Sequence, residues 1–296
     1  MRNAIAVGYD GSEGSADALA LGTALAQATS HGLALVYVRP LRLPEMTADA
    51  DARERKLTER AEAVLAGAPA ADVVVRAVVC DVAVASGLQQ FAAAEGAATI
   101  VVGSPQYTDH GHIDTGAVAA ALLHGAPCAV ALAPRGYAAQ PRAPFRRILV
   151  AYTTSEEARA ALRAAAELGR ACGATVRVVS VIGAVPSWTS EVSGYADAVR
   201  ATVQEELDRS LRVLASTVEC EGIVLAGDPV GLLLEQSRDW ADLVIAGSRG
   251  YGHARRVLLG SVSTGLLSGA HVPVLVTPRG ALTELVATPP VAMAVS

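Results

Sequence analysis

The chain has 296 residues, enough for about two domains, and 52% of them are hydrophobic while only 4% are aromatic. An interior of Ala, Val and Leu follows, which suits buried parallel strands covered by helices. The formal net charge of -5 exerts no global pull toward nucleic acid or anionic lipid, and no basic stripe with interleaved aromatics is present, so neither nucleic acid nor a membrane is expected as a partner.

Asn3 to Tyr9 is predicted as the first strand, closing at Asp10-Gly11-Ser12, and Glu13 to Gln27 as an Ala- and Leu-rich helix. Leu33 to Arg39 is a second strand, Asp49 to Leu65 a charged amphipathic helix, Val73 to Val79 a strand, and Val82 to Glu95 a helix. Ala98 to Gly103 makes a fourth strand, a polar loop runs from Ser104 to Thr115, Gly116 to His124 is a helix, and Pro127 to Ala133 is a fifth strand. The pattern then restarts. Arg147 to Tyr152, Val176 to Ile182, Val218 to Ala226, Leu243 to Gly247 and Pro273 to Thr277 answer the five strands in turn. Asp10 corresponds to Thr153, Val38 to Val181, Gly103 to Gly247, Gly116 to Gly260 and Pro134 to Pro278. The alternation predicts two tandem α/β domains, each a doubly wound five-stranded parallel sheet with right-handed crossovers, over residues 1–135 and 146–280. Residues 136–145, with Pro141 and Pro144, read as the linker, and 281–296 as a loosely packed or partner-docking tail.

Cys80, Cys128, Cys172 and Cys220 lie far apart and read as buried thiols of a reducing compartment. No segment has the length of an uninterrupted membrane span, and the amino terminus runs directly into a strand without the apolar stretch of a signal peptide. A cytoplasmic protein is expected.

One stretch carries ligand chemistry. Gly247-Ser248-Arg249-Gly250 follows an apolar strand, and nine residues later Gly260-Ser261 opens a helix. Glycines let backbone N–H groups approach an anion, and the N-terminus of a helix offers unpaired donors and a favourable dipole. Arg249, Arg255 and Arg256 add cationic side chains. This Gly-x2-Gly-x9-Gly-Ser pattern resembles the nucleotide-binding motif of the universal stress protein family in its tandem form. The resemblance implies an adenine nucleotide alpha-hydrolase-like fold with strand order 3-2-1-4-5, an internal pseudo-dimer paired through the fifth strands, and ATP held with Mg2+. It also implies a homodimer as a further form of assembly. The apolar runs Cys128 to Ala133 and Val274 to Val276 are suitable edges for such pairing. In folds of this order, ligands bind at the carboxyl ends of the first and fourth strands. The resemblance then assigns Gly247, Arg249, Gly250, Gly260, Ser261, Val262, Ser263, Thr153 and Val181 to a nucleotide site in the second half, and Asp10, Val38, Gly103 and Gly116 to its counterpart in the first.

Each half departs from the pattern. Gln106 and Ala117 replace the second glycine and the hydroxyl in the first half. Forcing a glycine-only backbone on Gln106 would cost about 1–3 kcal/mol, and one lost hydrogen bond to a phosphate a further ~1.5–3 kcal/mol. In the second half Thr153 replaces the carboxylate that faces ribose, and a hydroxyl cannot accept two protons from a diol as a carboxylate does. The second half is therefore the expected ATP site, with a sensing or regulatory role and little or no hydrolysis. The alternative is an enzyme of the same fold, with Asp10 or a loop histidine acting on a small molecule in an altered crevice, or a weak ATPase.

Other constellations have plainer readings. Asp109, His110, His112 and Asp114 could in principle hold zinc, but they lie in a solvated loop without an identifiable supporting partner, so no metal is expected there. The only lysine is Lys56, which excludes a Walker A loop. Glu13, Glu156 and Glu157 suit helix starts, and Asp228-Pro229 an N-cap followed by the first helical position.

Overall fold

A computed structural model of the protein describes residues 4–40, 73–140, 145–183, 195–248 and 260–277, together with residues 52, 55, 56 and 59 in a helix. The rest of the charged helix predicted after the second strand, Arg249, Gly250, Arg255, Arg256 and the tail lie outside the described residues. The first half comprises β1 (Ile5–Gly8), α1 (Glu13–Thr29), β2 (Leu33–Pro40), β3 (Val73–Asp81), α2 (Val84–Glu95), β4 (Thr99–Gly103), α3 (Gly116–Leu123) and β5 (Ala129–Ala133). The second comprises β6 (Arg147–Tyr152), α4 (Glu156–Cys172), β7 (Thr175–Ile182), α5 (Tyr195–Leu214), β8 (Cys220–Ala226), α6 (Pro229–Trp240), β9 (Leu243–Gly247), α7 (Ser261–Gly269) and β10 (Val274–Thr277).

Local chemistry sets the helix boundaries. Ser12 and Ser155 cap α1 and α4 by accepting the N–H of Ser15 and of Ala158, both at 3.2 Å. Gly173 ends α4 at φ 66°, a left-handed position that favours glycine. Asp228 caps α6 through Gly231 N–H at 2.7 Å with Pro229 behind it, as the sequence predicts.

The strands form one sheet of ten in the order β3-β2-β1-β4-β5-β10-β9-β6-β7-β8. Each half keeps the order 3-2-1-4-5. Every neighbouring pair is parallel except β5 and β10, which run antiparallel with Leu132 opposite Val274, Ala131 opposite Leu275 and Val130 opposite Val276. The two five-stranded sheets thus fuse through their fifth strands. Alternation along the strands sends successive side chains to opposite faces. One core joins Val7, Val101, Ala131, Leu275, Ile245 and Val150 to α1, α4 and α5, and the other joins Ala6, Ile100, Val130, Val276, Val244 and Leu149 to α2, α3, α6 and α7. Both cores run through the junction without a break.

The connection between the halves is anchored at both described ends. Asp17 on α1, only 2% exposed, accepts Gly136 N–H at 2.8 Å and Ala138 N–H at 2.7 Å, fixing a 3-10 turn at Tyr137–Ala139. Phe145 is buried in the core. Burial, outweighing the two N–H bonds, holds the Asp17 carboxyl above its ordinary 3.8. The folded chain then binds this proton more tightly than the unfolded chain, so the group's contribution to stability falls as pH rises from 3.8 through its folded value. Asp17→Asn should remove that slope from urea-unfolding stabilities measured across the acid range, while lowering stability uniformly because an amide oxygen accepts only at one of the two positions.

Candidate functional site

At the carboxyl ends of β6 and β9 lies a cleft of about 690 Å³. This is a crossover point, because β6 sits between β9 and β7 and the chain leaves β6 and β9 toward helices on opposite faces. Its lining includes Thr153, Val181, Gly247, Gly260, Ser261, Val262 and Ser263, all expected in the second-half site, with the expected Arg249 and Gly250 outside the described residues. Sequence reasoning did not single out Val179 and Leu233, which also line it, and it read Ser248 only as part of the glycine motif and Glu156 only as a helix start. The position of Val179 two residues before Val181 on β7 was the available signal, since period-two spacing puts both on one face.

The cleft is chemically two-sided. On the β9 side, Gly260 caps α7 with φ -88° and no side-chain hydrogen bond, so the first-turn N–H groups of Ser261, Val262 and Ser263 lack partners within the helix. Beside them Ser248, 5% exposed, has a hydroxyl with no hydrogen-bond partner among the described residues. Ser263 is turned inward, donating to Gly247 C=O at 2.9 Å. On the β7 side, Val179, Val181 and Leu233 present an apolar wall. Thr153 stands between, its hydroxyl donating to Ser155 Oγ at 3.1 Å and accepting Ser155 N–H at 3.4 Å.

The same positions in the first half are closed by the chain itself. Asp114 Oδ1 accepts Gly116 N–H at 3.1 Å, placing a carboxylate where an anion would meet α3, and Pro105 packs so tightly on Gly116 that a Cβ there would lie 2.6 Å from its ring. Ser104, the counterpart of Ser248, is fully engaged: its hydroxyl donates to Ala133 C=O at 2.9 Å and accepts Asp114 N–H at 3.2 Å. Arg135 donates to the carbonyls of Gln106 and, at 2.7 Å, Thr108, and lies 3.4 Å from Glu13. Gln106 avoids the left-handed region altogether, so the strain expected of it is not incurred; Gly111 at φ 78° and Gly116 at φ 49° turn the loop instead. Asp10 accepts Ser12 N–H at 2.9 Å at the mouth of α1. Val38 is buried against Gly87.

Two expectations need correction or refinement. The glycines at the ends of β4 and β9 are required by packing, whatever the cleft holds: a Cβ on Gly103 would lie 1.8 Å from Gly14 O, and one on Gly247 2.7 Å from Glu157 O. Neither has positive φ. The loop's acidic and histidine side chains have separate tasks, with Asp114 capping α3, His110 lying against Gly136 and His112 stacked on His271. No cluster of three metal-ligating side chains occurs among the described residues.

These features define a class: a doubly wound α/β protein in two tandem halves, with a crevice that pairs a helix N-terminus with an apolar wall. A model of the Universal stress protein family matches residues 1–134 and again 144–278, and the chain belongs to that family. A universal stress protein of Thermus aquaticus is 30% identical over 138 residues, covering 44% of this chain and 97% of that protein. One from Synechocystis sp. is 28% identical over 149 residues, covering 45% and 97%. These relatives therefore correspond in length to one half. A universal stress protein from Archaeoglobus fulgidus shares the fold over 95% of this chain and 100% of its own, with a TM-score of 0.67 and 20% identity. Among the described residues no helix is long and apolar enough to cross a membrane.

Asp114→Ala should lower stability by about 0.5–1.5 kcal/mol, the usual net worth of one hydrogen bond, measured by urea unfolding.

Proposed function

We propose that the second half binds ATP or a closely related nucleotide in the β6–β9 cleft, and that the protein works by sensing or regulation with little or no hydrolysis. The observation that carries this reading is the two-sided cleft: first-turn N–H groups without partners within their helix and the Ser248 hydroxyl at one end, an apolar wall at the other. A nucleotide has the same polarity, with an anionic phosphate chain and a flat, largely apolar base. Phosphates would accept from Ser261, Val262 and Ser263 N–H, where the dipole of α7 also favours negative charge. Arg249 and Gly250 complete this end in the sequence motif. The base would lie against Val179, Val181 and Leu233, and the sugar over Thr153, because β6 separates the two ends.

Mg2+ would accompany the triphosphate. The oxygen-bearing groups at that end, Ser248, Ser261 and Glu156, suit a hard cation that keeps several waters and is held mainly through phosphate. Glu156 and Glu157 stand in the first turn of α4, where their charge complements the helix dipole. That placement accounts for them without a catalytic base. The first half, with its anion position filled by Asp114 and its loop held by Arg135, is read as structural and regulatory.

Calorimetry on the intact chain should find one ATP per chain. Ser261→Pro removes one N–H, together with the Ser261 hydroxyl, at a position where proline fits a helix, and should weaken binding by roughly tenfold or more, at least the equivalent of one charge-assisted hydrogen bond of ~1.5–3 kcal/mol. Absence of any ATP binding by the wild-type chain would overturn the reading.

Sugar discrimination should be slight. The Thr153 hydrogen is already directed to Ser155, and its oxygen already receives Ser155 N–H. Competition experiments should therefore find ATP and 2′-deoxy-ATP within a few-fold of one another, and Thr153→Asp should restore a preference for the ribonucleotide, since a carboxylate can accept from a sugar hydroxyl.

A further inference from the structure

The loop that closes the first-half anion site continues across to the second half and takes hold of α7. Ile113, 2% exposed, donates its N–H to Ala270 C=O at 3.1 Å, directly after the last turn of α7. His112 packs its ring on that of His271, with centroids 4.2 Å apart and planes tilted by 59°. His271 Nδ1 lies 3.1 Å from Gly111 C=O, and its Nε2 lies 2.9 Å from Arg238 Nη2 on α6. The loop is in turn pinned from behind, because Gly111 N–H donates to Arg135 C=O at 2.8 Å and Arg135 N–H to His112 C=O at 2.9 Å.

These contacts fix a protonation state. A guanidinium only donates, so His271 Nε2 must accept from Arg238 and carry no proton. A carbonyl only accepts, so Nδ1 must carry the proton and donate to Gly111. Both bonds exist together only in the neutral Nδ1–H form. A proton added at Nε2 removes the acceptor that Arg238 uses and sets an imidazolium directly against a guanidinium.

We infer that residues 111–113 and His271 form an acid-released clasp between the halves, holding α7 at the end opposite its cleft-lining first turn, with neutral His271 as the group on which it closes. Among the described residues, the charged and titratable groups facing His271 are His112 from the first-half loop and Arg238 from α6. Neither is acidic, so no partner among them rewards the imidazolium. Burial first, then His112 and Arg238, lower the His271 pKa from its ordinary 6.5 despite the bond to Gly111. The sign follows: a group whose folded pKa is depressed and whose charged form is cationic stabilises the fold above its unfolded value relative to below it, and the clasp weakens as pH falls from 6.5 through the folded value.

The inference does not require the cleft to take a nucleotide, and the experiment reads the clasp itself. Two-bond 1H–15N correlation spectra of the intact chain at neutral pH should show His271 as the Nδ1–H tautomer, the minor form of imidazole in water, titrating below 6.5. Amide exchange at Ile113, corrected for its intrinsic pH dependence, should lose protection in step with that titration. His271→Asn, which keeps a side-chain donor but cannot titrate in this range, should remove the step. Arg238→Gln, at an exposed position, leaves the packing in place and should move the His271 titration back toward 6.5. An Nε2–H tautomer, a titration at or above 6.5, or Ile113 protection indifferent to His271 protonation would each overturn the clasp.

Discussion

The antiparallel pairing of β5 with β10 is the constraint on which the rest depends. Every other strand pair lies within one half, and it is this seam that turns two five-stranded sheets into one of ten. Its composition makes the seam work. β5 reads Ala-Val-Ala-Leu-Ala and is buried throughout, so α1 and α4 can approach on one face while Val130 and Leu132 meet Val274 and Val276 on the other. In β5 alanines face one side and Val130 and Leu132 the other, and each face inherits a continuous core. Apolar burial at about 25 cal/mol per Å² is the dominant favourable term in such a junction.

On that shared frame the two halves have diverged at the crevice rather than in the core. The anion position of the first half is filled from within, by Asp114 on Gly116 and by Arg135 across the loop carbonyls. The corresponding position of the second half keeps donors without a partner among the described residues. Divergence of this kind leaves the loop backbone unstrained, because it turns on Gly111 and Gly116 instead of forcing Gln106 into the left-handed region. It also frees the loop for a second use, as the contact with Ala270 and His271.

How much of this was legible depended on the range over which each interaction acts. Short continuous apolar runs located all ten strands, since burial on both faces leaves a local signature. Asp228-Pro229 declared its cap within two residues, and the spacing from Gly247 to Gly260 located the end of a strand and the start of a helix on one crevice. Ser104 and Ser248 show where legibility ended: they are the same letter at equivalent places, yet one hydroxyl is doubly bonded and the other has no partner among the described residues. The difference comes from Asp114, ten residues on, and from Ala133, 29 residues on. Gly103 was read as a glycine for an anion, and only the 1.8 Å approach of Gly14 O reveals that it serves helix packing. Arg135 and Asp17 act across more than a hundred residues, on Glu13 and on Gly136, and no local pattern announces such pairs.

The anchored connection bears on how copies of this chain coexist at high concentration. An antiparallel strand pair between two similar halves is a pairing that a neighbouring molecule could also supply, which is how protomers come to exchange domains. Each chain's own partner strand wins through proximity, and proximity is set by how tightly the intervening segment is held. Gly136 and Ala138 tied to Asp17, and Phe145 packed in the core, hold the described ends of that segment against the body of the protein. A carboxylate on the first helix thereby guards against entanglement of whole molecules.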